Sequence, residues 1–169
     1  MSDANWVRPA KESDLPTVAL IAGEGWRNAY HGLISEEAIE DMLRRWYSPE
    51  ALKRRLNNGW LEVTEMGERV IGFIQHGAIN DIHEVFAIYV LPAFLGQGVG
   101  WALWQRALNE AVRKGRAAAI ELWVLQGNRL GINWYNRQNG VVVAERQVEM
   151  LDRRHAELRY RFPTGRSWG

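Results

Sequence analysis

Residues Tyr89 to Leu103 constrain the fold of this chain more than any other stretch. They read as the end of an apolar strand, a proline stop at Pro92, a turn with glycine at every second position (Gly96, Gly98 and Gly100), and the start of a helix. Glycine lacks a Cβ, so its backbone takes dihedrals denied to other residues and approaches a ligand closely. The first N–H groups of a helix have no carbonyl partner within it and point outward, which suits a phosphate or pyrophosphate. The segment predicts a phosphate-bearing ligand held mostly by main chain. It does not say which one.

The rest of the chain narrows the options by exclusion. At 169 residues it fits one domain with a sizeable core, taken as residues 3–162, with 163–169 as a mobile tail. A net charge of +1 offers no basic excess to neutralise phosphate backbones or lipid headgroups, so no nucleic-acid or membrane partner is expected. There is no apolar run of membrane-spanning length and no amino-terminal signal pattern, which implies a soluble, cytoplasmic protein. The absence of cysteine removes disulfides, thiolate metal sites and a cysteine nucleophile together. Nine tryptophans point to core packing and pocket walls.

Periodicity supplies the order of elements. A short strand at 5–9 is followed by three helices, with Ser13, Ser35 and Ser48 read as caps and with Pro49 starting the third. From Trp60 the period changes to that of strands. Segments 60–66 and 69–79 flank a Gly67-Glu68 turn, the signature of a hairpin, and 83–91 is a further strand. Leu103, Trp104, Leu108, Ala111 and Val112 recur at helical spacing, with Gly115 as the stop. The apolar run 118–125 predicts a buried central strand, 128–138 a helix, and 141–150 with 156–162 a closing hairpin. This order predicts an α+β fold, a mixed sheet with helices on its faces.

The glycine turn is not a dinucleotide fingerprint. G-x-G-x-x-G counted from Gly96 or Gly98 needs glycine where Trp101 or Leu103 stands, and the turn follows an antiparallel meander rather than opening a βαβ unit. No G-K-[ST] follows either, so the nucleotide P-loop fails. The residues instead resemble the GCN5-related N-acetyltransferases, whose signature is a strand ending in V-x-P and then [QR]-x-x-G-x-[GA] opening a helix. Val90-Leu91-Pro92 and Leu95-Gly96-Gln97-Gly98-Val99-Gly100 match it at all but one position, Leu95 standing for Arg or Gln. The family's N-x-x-A-x-x-[FW]-Y run is similar to Asn128-Arg129-Leu130-Gly131-Ile132-Asn133-Trp134-Tyr135, and Asn139 replaces its later glycine. The resemblance spans Val7 to Phe162. It implies a mostly antiparallel sheet of six to seven strands with four to five helices, and acetyl-CoA as cosubstrate. The pyrophosphate would lie on the N–H groups of Gln97, Gly98, Val99, Gly100 and Trp101, and the pantetheine arm alongside Ile88, Tyr89 and Val90, with Asn128 meeting the arm or capping its helix.

Acetyl transfer to an amine needs a deprotonated amine, a stabilised oxyanion and a protonated leaving thiolate. The resemblance assigns the last task to Tyr135 and suggests Glu84 as base, with Glu121, inside the apolar strand, as a second carboxylate on the acceptor side. Trp26-Arg27-Asn28-Ala29-Tyr30-His31-Gly32 resembles a W-x-x-A-Y-x-G segment of a branch that includes PaiA-type polyamine acetyltransferases. There Trp26 and Tyr30 would border an aliphatic amine. None of Ser13, Ser35 and Ser48 lies in G-x-S-x-G, and His31, His76, His83 and His155 show no metal spacing. No metal is expected, and direct attack in a ternary complex is favoured over an acyl-enzyme. The expected acceptor is a small primary amine such as a polyamine. A peptide amino terminus, or a non-catalytic acyl-CoA sensor, stays open, as does monomer or homodimer.

Overall fold

A computed structural model describes residues 6–114 and 119–164. Among these, seven strands form one sheet in the order β1-β2-β3-β4-β5-β7-β6. They are β1 (Trp6–Pro9), β2 (Leu61–Met66), β3 (Arg69–Ile79), β4 (Ile82–Val90), β5 (Ala119–Leu125), β6 (Val141–Glu149) and β7 (Arg154–Pro163). Five α-helices accompany them: α1 (Leu15–Tyr30), α2 (Glu36–Trp46), α3 (Pro49–Asn57), α4 (Val99–Arg113) and α5 (Arg129–Arg137). Every neighbouring pair of strands is antiparallel except β4 and β5. This is the mixed α+β architecture that the periodicity predicted.

Local chemistry accounts for most of the boundaries. Gly67 takes φ +63° in the turn between β2 and β3, where a side chain would be strained. Ser35 and Ser48 cap α2 and α3 by accepting from the N–H groups of Ala38 (3.1 Å) and Ala51 (3.2 Å). Ser13 is no cap: it sits inside a 3-10 turn, and Asp14 does the local bonding, accepting from the Lys11 N–H at 2.7 Å and from Arg8. The longer, ionised side chain reaches both donors. Asn139 adopts φ +61°, the left-handed conformation that suits the glycine standing here in the family it resembles.

The sheet is sandwiched between helices. A Cβ built on Gly25 of α1 would stand 2.3 Å from the Tyr89 ring, so α1 lies almost backbone-on-ring against one face of β4. On the other face α4 sends Leu103 over Gly72 of β3, and Trp104, Phe73 and Phe162 are among the largest fully buried side chains. The strand β7 continues to Pro163, which pairs with Ala119, so the expected tail begins one residue early. Residues 165–169, like Gly115, Ala118 and the start of the first strand, lie outside the described residues.

Candidate active site

The parallel pair β4–β5 is joined at its base only: His83 pairs with Ile120 and Glu84 with Glu121. Beyond that point the strands part. On the other side of β4, Gln75 faces Ala87 while His76 faces Val85, so Phe86 is an extra, bulged residue. The bulge turns β4 away from β5, and the opening becomes a cavity of about 400 Å³. Its walls include Ile88, Tyr89 and Val90 from β4, Trp123 from β5, Asn128 at the head of α5, and the glycine turn.

The turn supplies an anion cradle. Gly96 (φ +75°) and Gly98 (φ +82°) are both left-handed, and Gly98 is the cap residue of α4. The first bond of the helix runs from the Ala102 N–H to the Gly98 carbonyl at 3.0 Å, so the N–H groups of Val99, Gly100 and Trp101 have no acceptor within the helix. A Cβ on Gly98 would meet nothing within 4 Å; glycine is needed there for the dihedral rather than for room. The Val99 side chain is buried, and that of Gln97 turns back to the Ala93 carbonyl at 3.3 Å, so these two residues can offer the cavity main chain only. Trp101 and Leu95 are exposed beside it. Among the described residues, the one charged side chain on this cavity's wall is Arg137 of α5.

Asn128 has two jobs. Its Oδ1 accepts from the Gly131 N–H at 2.9 Å, capping α5, and its Nδ2 donates to the Tyr30 hydroxyl at 3.2 Å. A Cβ at position 131 would lie 2.9 Å from that same Nδ2, so Gly131, where the family motif has alanine, is what makes room for this arrangement. Tyr135 is packed between Trp134, Tyr160 and Phe162, and burial pushes its hydroxyl well above the ordinary phenol range. That hydroxyl has no hydrogen-bond partner among the described residues, and Tyr135 lines the cavity.

A second cavity of about 290 Å³ opens on the α1 side of the sheet. Glu84 lines it, with Trp26, Trp46 and Tyr47 as aromatic walls. The Trp26 ring lies 4.9 Å from Tyr30 and 5.7 Å from Trp46. Glu84 has no ion-pair partner among the described residues. Burial raises its carboxyl above the usual range; Arg159 and Arg146 counter this, while Glu121 and Glu157 add to it. The two cavities share Tyr30, Val85, Phe86, Tyr89 and Trp123, so they meet where β4 and β5 part.

Glu121 does not belong to this group. It is buried, ion-paired to Arg159 and, at 2.6 Å, to Arg161, and it lines neither cavity. With both oxygens held by guanidinium groups it has none free to face an amine, which corrects its assignment to the acceptor side. The histidines His76 and His83 form a buried chain on the other face, His83 Nε2 to His76 Nδ1 at 2.8 Å and His76 Nε2 to Glu62 at 2.6 Å, with Arg106 closing it. Among the described residues no cluster of three or more ligating side chains is placed to hold a metal ion.

Sequence reasoning missed Arg55, Trp46, Trp123, Arg146 and Glu157 on the second cavity and Arg137 on the first. Arg55 lies in Lys53-Arg54-Arg55, which reads like any solvated helix face. Arg146 and Glu157 sit on strands that periodicity could place but not orient.

A strand-parting cleft with a main-chain phosphate cradle and a flanking polar cavity is the arrangement expected from the resemblance drawn in the sequence. The model of the Acetyltransferase (GNAT) family matches residues 24–141, and the chain belongs to that family. A spermidine N(1)-acetyltransferase of Thermoplasma acidophilum is 29% identical over 145 residues, covering 82% of this chain and 89% of that protein. The crystal structure of PaiA N-acetyltransferase from the same organism, in complex with coenzyme A, superposes with a TM-score of 0.81 at 23% identity, over 95% of this chain and 99% of that one. The ribosomal-protein-S18-alanine N-acetyltransferase of Escherichia coli superposes with a TM-score of 0.69 at 19% identity, over 96% of each chain. No helix among the described residues is long and apolar enough to cross a membrane.

Proposed function

We propose that this chain, as one catalytic domain over residues 3–162, transfers the acetyl group of acetyl-CoA to the primary amine of a small molecule. The observation that carries this reading is the meeting of the two cavities at the parting of β4 and β5, with Tyr135 on one and Glu84 on the other. The residues present fit the cosubstrate. The N–H groups of Val99, Gly100 and Trp101 suit its pyrophosphate, Arg137 faces the same cavity, and the freed edge of β4 at Ile88 to Val90 suits an amide-bearing arm. The acetyl thioester is the group it supplies.

On the acceptor side Glu84 takes the proton. An alkylammonium of pKa near 10 is almost wholly protonated at neutral pH, so a base is needed, and the raised pKa of Glu84 makes it stronger than an exposed carboxylate. On the donor side Tyr135 is protonated at neutral pH, burial raising its hydroxyl above the ordinary phenol range, and it supplies a proton to the departing thiolate. Trp26 and Tyr30 form an aromatic wall for the aliphatic part of the amine. The similarity to a spermidine N(1)-acetyltransferase supports an aliphatic amine as acceptor, and a polyamine is the first member of that class to try.

The test is thiol release from acetyl-CoA across a panel of amines, with the N-acetylated product identified by mass. Release coupled to one or more small amines is expected. Binding of CoA with no acetylation of any amine would overturn the reading in favour of a non-catalytic sensor.

A further inference from the structure

The pairing of charges in the second cavity says what kind of amine fits it. Among the described residues four charged side chains line it: Arg55, Glu84, Arg146 and Glu157. Arg146 Nε donates to Glu157 at 2.7 Å while its guanidinium stacks over the Trp123 ring at 4.0 Å, so these two neutralise each other. Glu84 and Arg55 are left, one of each sign, and neither has an ion-pair partner among the described residues.

Arg55 is the unusual member. It projects from α3, is half-buried, and sits over the Tyr47 ring with its carbon 5.2 Å from the centroid. Its one hydrogen bond is donated to the Trp46 carbonyl. A guanidinium carries five N–H donors, so most of its capacity is unspent. Arg54, the adjacent cation, repels it. Holding a cation partly out of water with no anion beside it is costly, and such groups are ordinarily paired. A pure polyamine would aggravate the imbalance, because its second ammonium would find only Glu157, already engaged by Arg146.

We infer that the acceptor is zwitterionic, a primary amine that also carries a carboxylate or phosphate, its amine directed to Glu84 and its acidic group to Arg55. This rests on the reading that the second cavity receives the amine. A planar guanidinium takes either oxyanion in bidentate fashion, and a charge-assisted bond of that kind supports discrimination of about tenfold or more.

The experiment compares 4-aminobutyrate, O-phosphoethanolamine, n-butylamine and spermidine, both as acceptors with acetyl-CoA and as ligands of the CoA-saturated protein by calorimetry. At least one acid-bearing amine should exceed n-butylamine and spermidine in kcat/KM by about tenfold, mainly through KM. Arg55→Gln should collapse that ratio towards one, and Arg55→Lys should keep part of it. The two acidic probes tell a carboxylate site from a phosphate site. Equal or better use of n-butylamine or spermidine by the wild-type protein, a comparison that needs no variant, overturns the inference. If no amine is acetylated but an acid-bearing amine binds and Arg55→Gln abolishes that binding, the inference stands and the transfer reading falls. If no acid-bearing amine binds or reacts, the inference falls.

Discussion

Replacing Gly100 by alanine should raise the stability of the free protein and weaken CoA binding at once. Gly100 is the second residue of α4, and a Cβ built on it comes no closer than 4.0 Å to another atom, Cγ2 of Val90. With helical dihedrals and room to spare, Gly→Ala stabilises by about 0.5–1 kcal/mol. For a chain of this size that raises Tm by about 1–4 °C. The same methyl group would stand on the wall of the donor cavity, beside the free N–H groups of the helix start. Wild-type protein at a hundredfold excess of CoA over Kd gains about 2.7 kcal/mol, or about 5–11 °C. If the methyl weakens binding by about a hundredfold, the gain at that CoA concentration falls to about 0.4 kcal/mol, about 1–2 °C. The order of melting should therefore invert: the variant melts higher without CoA and the wild type higher with it. Gly98→Ala is the control, because φ +82° costs an alanine about 1–2 kcal/mol, and it should melt lower with or without ligand. Thermal melts with and without CoA decide the matter. A Gly100→Ala variant with the full wild-type ligand shift would refute the placement of the cradle at this turn.

Other expectations concern the chemistry and the core. Tyr135→Phe should keep CoA affinity, measured by calorimetry, and lower kcat by about tenfold or more, since only the hydroxyl acting on the sulfur is lost. The acid limb of the pH–rate profile should lie above the ordinary glutamate value near 4.3, because burial raises Glu84 and its ionised form is the active one; Glu84→Gln should lose that limb and most of the rate. Leu95→Arg should tighten CoA binding by severalfold in calorimetry, as it adds a second cation beside Arg137 on the wall of the cradle. His83 is held near pKa about 4 by burial and by His76, against an ordinary value of 6.5. The unfolded chain binds a proton there between about pH 6.5 and 4 that the folded chain refuses, so stability should fall as pH drops through that window, and His83→Gln should flatten the slope in denaturant titrations.

How far the fold and site were legible depends on whether the cause was local. The β2–β3 hairpin and the caps of α2 and α3 are set by residues within four positions of one another, and the sequence places their boundaries to within a residue or so. Ser13 misled because Asp14, the next residue, competes for the same backbone donors and wins through Arg8, which a local pattern does not contain. Glu121 is legible as buried, and a paired carboxylate is as good a reading of it as a base, but its partners are not legible. Its guanidinium partners lie on β7, some 40 residues on, and reach it through the antiparallel β5–β7 register. The cleft itself has no sequence signal of its own: it arises because β4 and β5 share two paired positions and then diverge at the Phe86 bulge. Arg55 was invisible for the opposite reason, being one cation in a run of three.

The central claim is direct transfer between two adjoining cavities, without an acetylated protein on the way. Initial-rate kinetics with acetyl-CoA and an accepted amine varied together, paired with intact-protein mass after exposure to acetyl-CoA alone, tests it most directly. Intersecting double-reciprocal lines and unmodified protein are expected, with thiol released only when amine is present. Parallel lines together with an acetylated protein that passes its acetyl group to the amine would contradict it.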